Sequence, residues 1–298
     1  MDEFKVKKIE LGEDPATDSA VLLLIEDALG RKRFLPDFEK RINYASGTTI
    51  VLGGYIGDRL VCMSVFMRLS FSVNSTGCFG YQCGFNATSS DCRGLGLWPK
   101  LMKYSEKYLM ELGAEFIYVF PNSTSLPLYL KKLDFESFDM HRMRITPGIL
   151  LAKLKCNLVT CRCSSHHDSK AALRPALQES FVWKTHEYGA EKIKQYRFGK
   201  SVAWGRKKTT VKSGLKVKFF EIGGFEASCV NELKGLLTTI CRGERVIFCS
   251  VSLNEGSEYF PLFNSISLEE EPLVIKMLGD LKTSNLSLNF FSGLRDTF

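Results

Sequence analysis

No apolar run in the 298 residues is long enough to span a bilayer, and the start, Met1-Asp2-Glu3-Phe4-Lys5, has no apolar segment behind a basic head. A membrane-spanning helix and a secretory signal are therefore not expected, and the cytoplasm is the default compartment. The ten cysteines follow no regular framework, which speaks against a disulfide scaffold and for a reducing environment. The net charge of +7 is modest for this length: it accommodates an acidic ligand without requiring nucleic acid. What the chain does have is a hydrophobic fraction of 45%, which excludes a disordered polymer, and enough length for one large or two ordinary domains.

The most informative stretch runs from Tyr81 to Phe135 and centres on Asp91-Cys92-Arg93-Gly94-Leu95-Gly96-Leu97-Trp98. An aromatic, apolar segment precedes it, and Leu97, Leu101, Tyr108 and Leu112 follow at helical spacing. Pro99 sits where a first helical turn tolerates a missing N–H, and Gly113 sits where a C-cap glycine belongs. The pattern is strand, glycine turn, helix. Glycines at 94 and 96 let a backbone approach a ligand closely, and the first amides of a helix have no internal acceptor, so together they make the parts of a phosphate cradle. Taken alone, the same turn is also what any tight strand-to-helix connection looks like. The turn holds no Gly-Lys-Ser/Thr and lacks dinucleotide glycine spacing, which removes two nucleotide-binding loops. Beyond the helix, Phe116 to Phe120 reads as a strand, Pro121-Asn122 breaks it, Thr124 to Leu133 is a short helix carrying Tyr129, and Asp134-Phe135 closes the unit.

In this order the residues resemble the GNAT superfamily of acyl-CoA-dependent N-acyltransferases. Arg93 to Trp98 is similar to that family's pyrophosphate loop, Gln/Arg-x-x-Gly-x-Gly/Ala; Arg93 and Gly96 fit, and Trp98 departs from the small final residue. Asn122 and the run Leu128 to Phe135 resemble the second motif, an asparagine followed by Tyr-x-x-x-Gly-Phe, with Asp134 where glycine is usual. The resemblance implies an α+β fold, a mixed sheet flanked by helices. It also implies that the amides of Arg93, Gly94, Leu95, Gly96, Leu97 and Trp98 hold the pyrophosphate of acetyl-CoA or another acyl-CoA. The exposed backbone of Phe85, Asn86 and Ala87 would pair with the pantetheine arm, Asn122 would hydrogen-bond the cofactor, and Tyr129 would be the acid for the departing thiolate.

The general base is less clearly marked. Tyr81 to Thr88 holds no carboxylate. His141, on the strand after the second helix, is one candidate; a packed or surface histidine is the plainer reading, and direct amine attack with water carrying off the proton needs no dedicated base. Cys83 alternates within a strand and reads as a small core residue. Cys156, Cys161, Cys163, His166 and His167 crowd together, but their spacing fits no common zinc pattern, and no metal is expected.

The first half reads β, α, α, three antiparallel strands with a hairpin at Gly57-Asp58, then α, β, α, β. Pro147-Gly148 marks a seam, with a connecting helix expected over Ile149 to Leu158. Past it, Phe181 to Tyr188 and Gln195 to Lys212 read as strands, Ser213-Gly214 as a hairpin turn, and Leu215 to Ile222 as the return. A helix follows from Val230 to near Gly243, then short strands at 246–251, 273–277 and 286–291. This order echoes the first half, while Ile222-Gly223-Gly224-Phe225-Glu226 lacks the Arg-x-x-Gly spacing. The expected organisation is a cofactor-binding GNAT domain at 1–147, a linker at 148–176, and a degenerate GNAT-like unit at 177–298 that shapes the acceptor site.

The acceptor expected is a small-molecule primary amine. Arg206, Lys207, Lys208, Lys212, Lys216 and Lys218 crowd one hairpin, which reads either as a solvated face or as recognition of an acidic acceptor such as a nucleotide-linked amino sugar. Nucleic acid is not the expected partner, because the run lacks interleaved aromatics. Two other classes stay open: a degenerate fold serving as a binding or regulatory module, and an aminoacyl-transfer relative.

Overall fold

The computed structural model describes residues 3–30, 32–43, 49–145, 171–212, 214–254, 257, 267–282, 286–291 and 294. In chain order the elements are β1 (Phe4–Ile9), α1 (Pro15–Leu29), α2 (Leu35–Ile42), β2 (Thr49–Ile56), β3 (Arg59–Val73), β4 (Thr76–Thr88), α3 (Leu97–Glu111), β5 (Phe116–Val119), α4 (Leu126–Lys132) and β6 (Glu136–Ile145). They continue with β7 (Ala171–Pro175), α5 (Leu177–Tyr188), β8 (Ile193–Phe198), β9 (Ser201–Lys212), β10 (Leu215–Glu226), α6 (Val230–Glu244), β11 (Cys249–Asn254), β12 (Ser267–Met277) and β13 (Leu286–Leu288). The fold is mixed α/β, sheet flanked by helices, as the sequence predicts. No helix among the described residues is long and apolar enough to cross a membrane.

Two units divide the chain, and they do not follow chain order. Where the sequence places a seam at 147, the contacts gather Met1–Phe71, Gly77–Ser137 and Pro272–Lys282 into the first unit and Ser72–Thr76, Phe138–Glu271 and Thr283–Phe298 into the second. The first unit has the strand order β1-β2-β3-β4-β5-β12. β1 to β3 pair antiparallel, β4 and β5 pair parallel, and β12 lies antiparallel to β5 with Val274 opposite Val119. Only tertiary pairing brings β12 here: β5 is a short, fully buried strand that needs a partner on both edges. Lys276 on β12 then ties the unit together, donating to Glu106 Oε2 at 2.9 Å and to the Leu133 carbonyl at 2.7 Å.

Local sequence explains the ends of α1. Asp14 accepts from the amides of Ala16 and Thr17, and Gly30, left-handed at φ 64, stops the helix. The core of the first unit gathers Trp98, Leu101, Met102 and Leu109 of α3 against Phe66, Tyr81, Cys83 and Tyr129.

In the second unit β8, β9 and β10 pair antiparallel, β10 pairs parallel with β11, and β11 pairs antiparallel with β6. Two sequence expectations fail here. Residues 181–188 belong to helix α5, not to a strand. Leu177, Phe181 and Tyr188 pack on the Ile193 and Trp204 cluster, and Trp183 and Lys184 are buried as well, so the true period is helical and the aromatic content misled. Residues 195–212 are two strands, because Gly199 turns the chain at φ 58 between β8 and β9. The expected helix at 149–158 lies outside the described residues.

Candidate active site

β4 sets the site. Its parallel register with β5 runs from Gly80 opposite Phe116 to Gln82 opposite Tyr118, after which β4 continues to Thr88. Within that continuation Phe85 takes a left-handed conformation, φ 48, rare for a bulky residue. An alternating strand would send residues 83 and 86 to opposite faces. The left-handed residue breaks the alternation, and Cys83 Sγ lies 3.2 Å from Asn86 Oδ1 on one face. Phe85 packs the other way, edge-on to Phe38 of α2 at 5.2 Å, with the guanidinium groups of Arg33 and Arg41 over its ring. Ala87 is buried.

The glycine turn follows. Gly94 and Gly96 are left-handed at φ 81 and 71, and a Cβ on either would meet nothing within 4 Å. The glycines are there for conformation, and the space above them is open. Gly96 is the N-cap of α3 and offers no side chain to its amides, and the first turn of α3 contains no acidic residue. The first turn of α3 therefore presents amides and positive dipole potential with no acidic residue of its own to answer them. Leu95 is exposed, whereas Leu97 and Trp98 are buried.

Side chains around the turn hold it rather than face a ligand. Arg93 donates from Nε to the Thr88 carbonyl and from a terminal nitrogen to the Ala28 carbonyl of α1, both at 3.3 Å. The Ser90 amide donates to Asp27 Oδ2 at 2.7 Å, which lowers the Asp27 pKa. Arg59 grips Asp91 with two hydrogen bonds of 2.7 and 2.8 Å. That grip, joined by the Ser89 hydroxyl, holds the Asp91 carboxyl well below the usual carboxylate range.

Trp98 points inward. Its indole Nε1 donates to Ser64 Oγ of β3 at 3.0 Å, and its ring stands edge-on to Tyr129 with centroids 5.1 Å apart. Ser64 Oγ donates to Asn86 Oδ1 at 2.7 Å, and Asn86 Nδ2 donates to the Tyr129 hydroxyl at 2.8 Å. Tyr129 Oη lies 3.8 Å from Cys83 Sγ, and the tyrosine is fully buried. The bulk that breaks the expected motif thus lies beneath the turn and leaves its open face clear. The Ser64 and Asn86 side-chain bonds have no sequence signal, because nothing in their spacing marks them.

Asn122 starts α4. Its Oδ1 accepts from the amides of Thr124 and Ser125 at 3.1 and 2.8 Å, so its side-chain oxygen serves the turn. At the far end of α4, Asp134 is left-handed, φ 56, and the Phe135 amide donates to the Tyr129 carbonyl at 3.2 Å. The backbone makes the turn that glycine favours, and a short polar residue tolerates it. The departure from the motif at 134 changes the residue and keeps the geometry.

Residues 18–137 match the model of the acetyltransferase (GNAT) domain. This stretch is a GNAT domain. The whole chain is similar in structure to a GCN5-related N-acetyltransferase from Anabaena variabilis ATCC 29413, at TM-score 0.63 and 10% identity over 93% of this chain and 73% of that one. A GCN5-related N-acetyltransferase from Kribbella flavida gives TM-score 0.63 and 13% identity over 93% and 71%. A probable N-acyltransferase from Enterococcus faecalis V583 gives 0.60 and 14% over 93% and 73%. At these identities the likeness is one of fold. No curated protein matches by sequence.

His141 and the basic hairpin belong to the second unit. His141 sits on β6 in the second unit, opposite Leu253 and buried. The cysteine and histidine cluster at 156–167 lies outside the described residues, and among the described ones no group of three metal-binding side chains gathers. The basic hairpin does not present one face. Arg206 and Lys208 lie opposite Glu221 and Phe219 and both reach the Glu221 carboxylate, while Lys207, Lys216 and Lys218 take the alternate register positions.

Proposed function

We propose that the first unit is an acyl-CoA-dependent N-acyltransferase that moves an acyl group, acetyl in the simplest case, to a primary amine. The observation that carries this reading is the convergence in one unit of an irregular strand end at Phe85–Ala87, an uncapped α3 start at Gly94 and Gly96, and the Tyr129 hydroxyl. The open space above both glycines and the lack of an acidic residue in the first turn fit a pyrophosphate. An acyl-CoA, when bound, supplies an activated thioester.

The chain's own residues do the rest. The amides from Gly94 to Trp98 hold the diphosphate, with the Arg93 side chain fixing the loop against α1. The backbone of Phe85, Asn86 and Ala87 receives the pantetheine arm as an added strand, and an amide there polarises the thioester carbonyl. Tyr129 gives its proton to the departing sulfur. Asn122 acts through the turn it builds ahead of α4. Because residues 81–88 hold no carboxylate, the amine loses its proton to water. The likeness to structures described as N-acetyltransferases supports the class of reaction, and the strand order of the second unit supports its reading as a GNAT-like repeat without a cradle.

Calorimetry with acetyl-CoA tests the proposal. Binding with a Kd below about 1 mM is expected, and none at that concentration would sink it. With a turned-over amine, Tyr129→Phe lowers kcat about 100-fold and leaves acetyl-CoA affinity unchanged.

A further inference from the structure

We infer that Trp98, Ser64 and Asn86 form a hydrogen-bond chain whose polarity decides where the Tyr129 proton points, which makes all three positioning residues for proton transfer. This rests on the reading of Tyr129 as the acid. The chain has a direction because an indole nitrogen only donates. Trp98 Nε1 takes a lone pair of Ser64 Oγ at 3.0 Å, and the Ser64 proton goes to Asn86 Oδ1 at 2.7 Å, a normal O–H to O distance. With Oδ1 so engaged, Asn86 turns its Nδ2 to the Tyr129 hydroxyl oxygen at 2.8 Å. The reversed amide would leave the Ser64 proton, among the described residues, the Met102 sulfur at 3.8 Å as acceptor.

One lone pair of Tyr129 Oη is therefore occupied by an N–H, and its proton faces away from Asn86, on the side where Cys83 Sγ lies 3.8 Å off. In the transfer the amine lone pair forms the new C–N bond and the pair of the breaking C–S bond stays on sulfur. The Oη–H bond breaks as its proton passes to that sulfur, and the amine proton leaves to water. The charge left on Oη is held by the Asn86 N–H, which lowers the cost of giving up the proton. Trp98 follows Gly96 by two residues, so the first turn of α3 supplies both the proposed cradle and the start of the hydrogen-bond chain. This gives a physical reason for a large donor where a small residue is usual.

The test uses the full-length protein and two readouts. In the ligand-free, isotope-labelled protein, the indole N–H resonance of Trp98 is compared across Ser64→Ala, Asn86→Asp and Tyr129→Phe. It moves in all three, while those of Trp183 and Trp204 stay in place; Ser64→Thr, which keeps the hydroxyl, restores it. In steady-state assays with acetyl-CoA, Asn86→Asp, an acceptor only, lowers kcat about 30-fold and Trp98→Phe about 5-fold, with the KM for acetyl-CoA within about 2-fold. In Asn86→Leu the alkaline limb of kcat moves to higher pH, because the phenolate has lost its donor. A Trp98 resonance indifferent to Asn86, or an Asn86→Asp protein with parental kcat and an unmoved limb, overturns the chain and leaves the acyltransferase reading standing. Absence of acetyl-CoA binding by the parent protein overturns both.

Discussion

The two units each send an antiparallel strand into a helix and return parallel beside the strand they left, through α3 in the first and α6 in the second. Both helices are 15 residues long, and both feeding strands are irregular near their ends, at Phe85 in β4 and between Ile222 and Gly224 in β10. The difference lies in what meets the irregularity and the helix start. In β10 a Cβ on Gly223 would sit 2.1 Å from the Trp204 ring, so that space is filled; above Gly94 and Gly96 nothing lies within 4 Å. The first turn of α6 carries Glu232, which accepts from the Lys200 amide at 3.0 Å and the Ser201 hydroxyl at 2.8 Å. An internal carboxylate already answers the α6 dipole, and the first turn of α3 carries none. One topology therefore yields an anion site only where the chain leaves the helix start unanswered and the approach open.

Substitutions at the two crossovers put this contrast to experiment. The largest effect is expected from Gly96→Val. A β-branched residue at φ 71 cannot keep the turn, and acetyl-CoA affinity measured by calorimetry should fall about 30-fold or more. Gly223→Val should instead overpack against Trp204 and cost about 1–3 kcal/mol in denaturant unfolding, with acetyl-CoA affinity unchanged. Equal affinity losses in the two variants would erase the contrast. Lys100→Glu places an acid near the α3 start, as Glu232 is near that of α6, and should weaken acetyl-CoA about 3-fold, less so at high salt.

The smallest effect concerns Glu232 itself. Hydrogen bonds from Ser228 and then Ser201 lower its folded pKa. Its contribution to stability is present above the unfolded carboxylate pKa and is lost as pH falls through the depressed folded value. Glu232→Gln should therefore flatten the acid side of the stability–pH profile without creating acetyl-CoA binding. A variant profile that overlays the parent's would show that the carboxylate does not answer the helix.

Much of the first unit was readable in the chain because punctuation and period agree there. Gly30 ends α1, Gly57-Asp58 joins β2 to β3, and Gly94, Gly96, Pro99 and Gly113 frame α3. The second unit was harder to read. Aromatic residues at 181–188 look β-prone until their partners in the Trp204 cluster reveal a helical period. The basic hairpin looks like one charged patch until register divides it between two faces.

Where the glycine turn, its helix and Tyr129 lie follows from local sequence, since backbone freedom at glycine and apolar spacing act locally. Tertiary structure decided what no local rule contains. It placed a left-handed non-glycine residue at 85, turned Trp98 inward onto Ser64, brought Asn86 to the Tyr129 hydroxyl, and paired residues 274–277 with β5. Each depends on partners far away in the chain, and a buried hydrogen bond or an edge strand chooses its partner only once the core has closed around it.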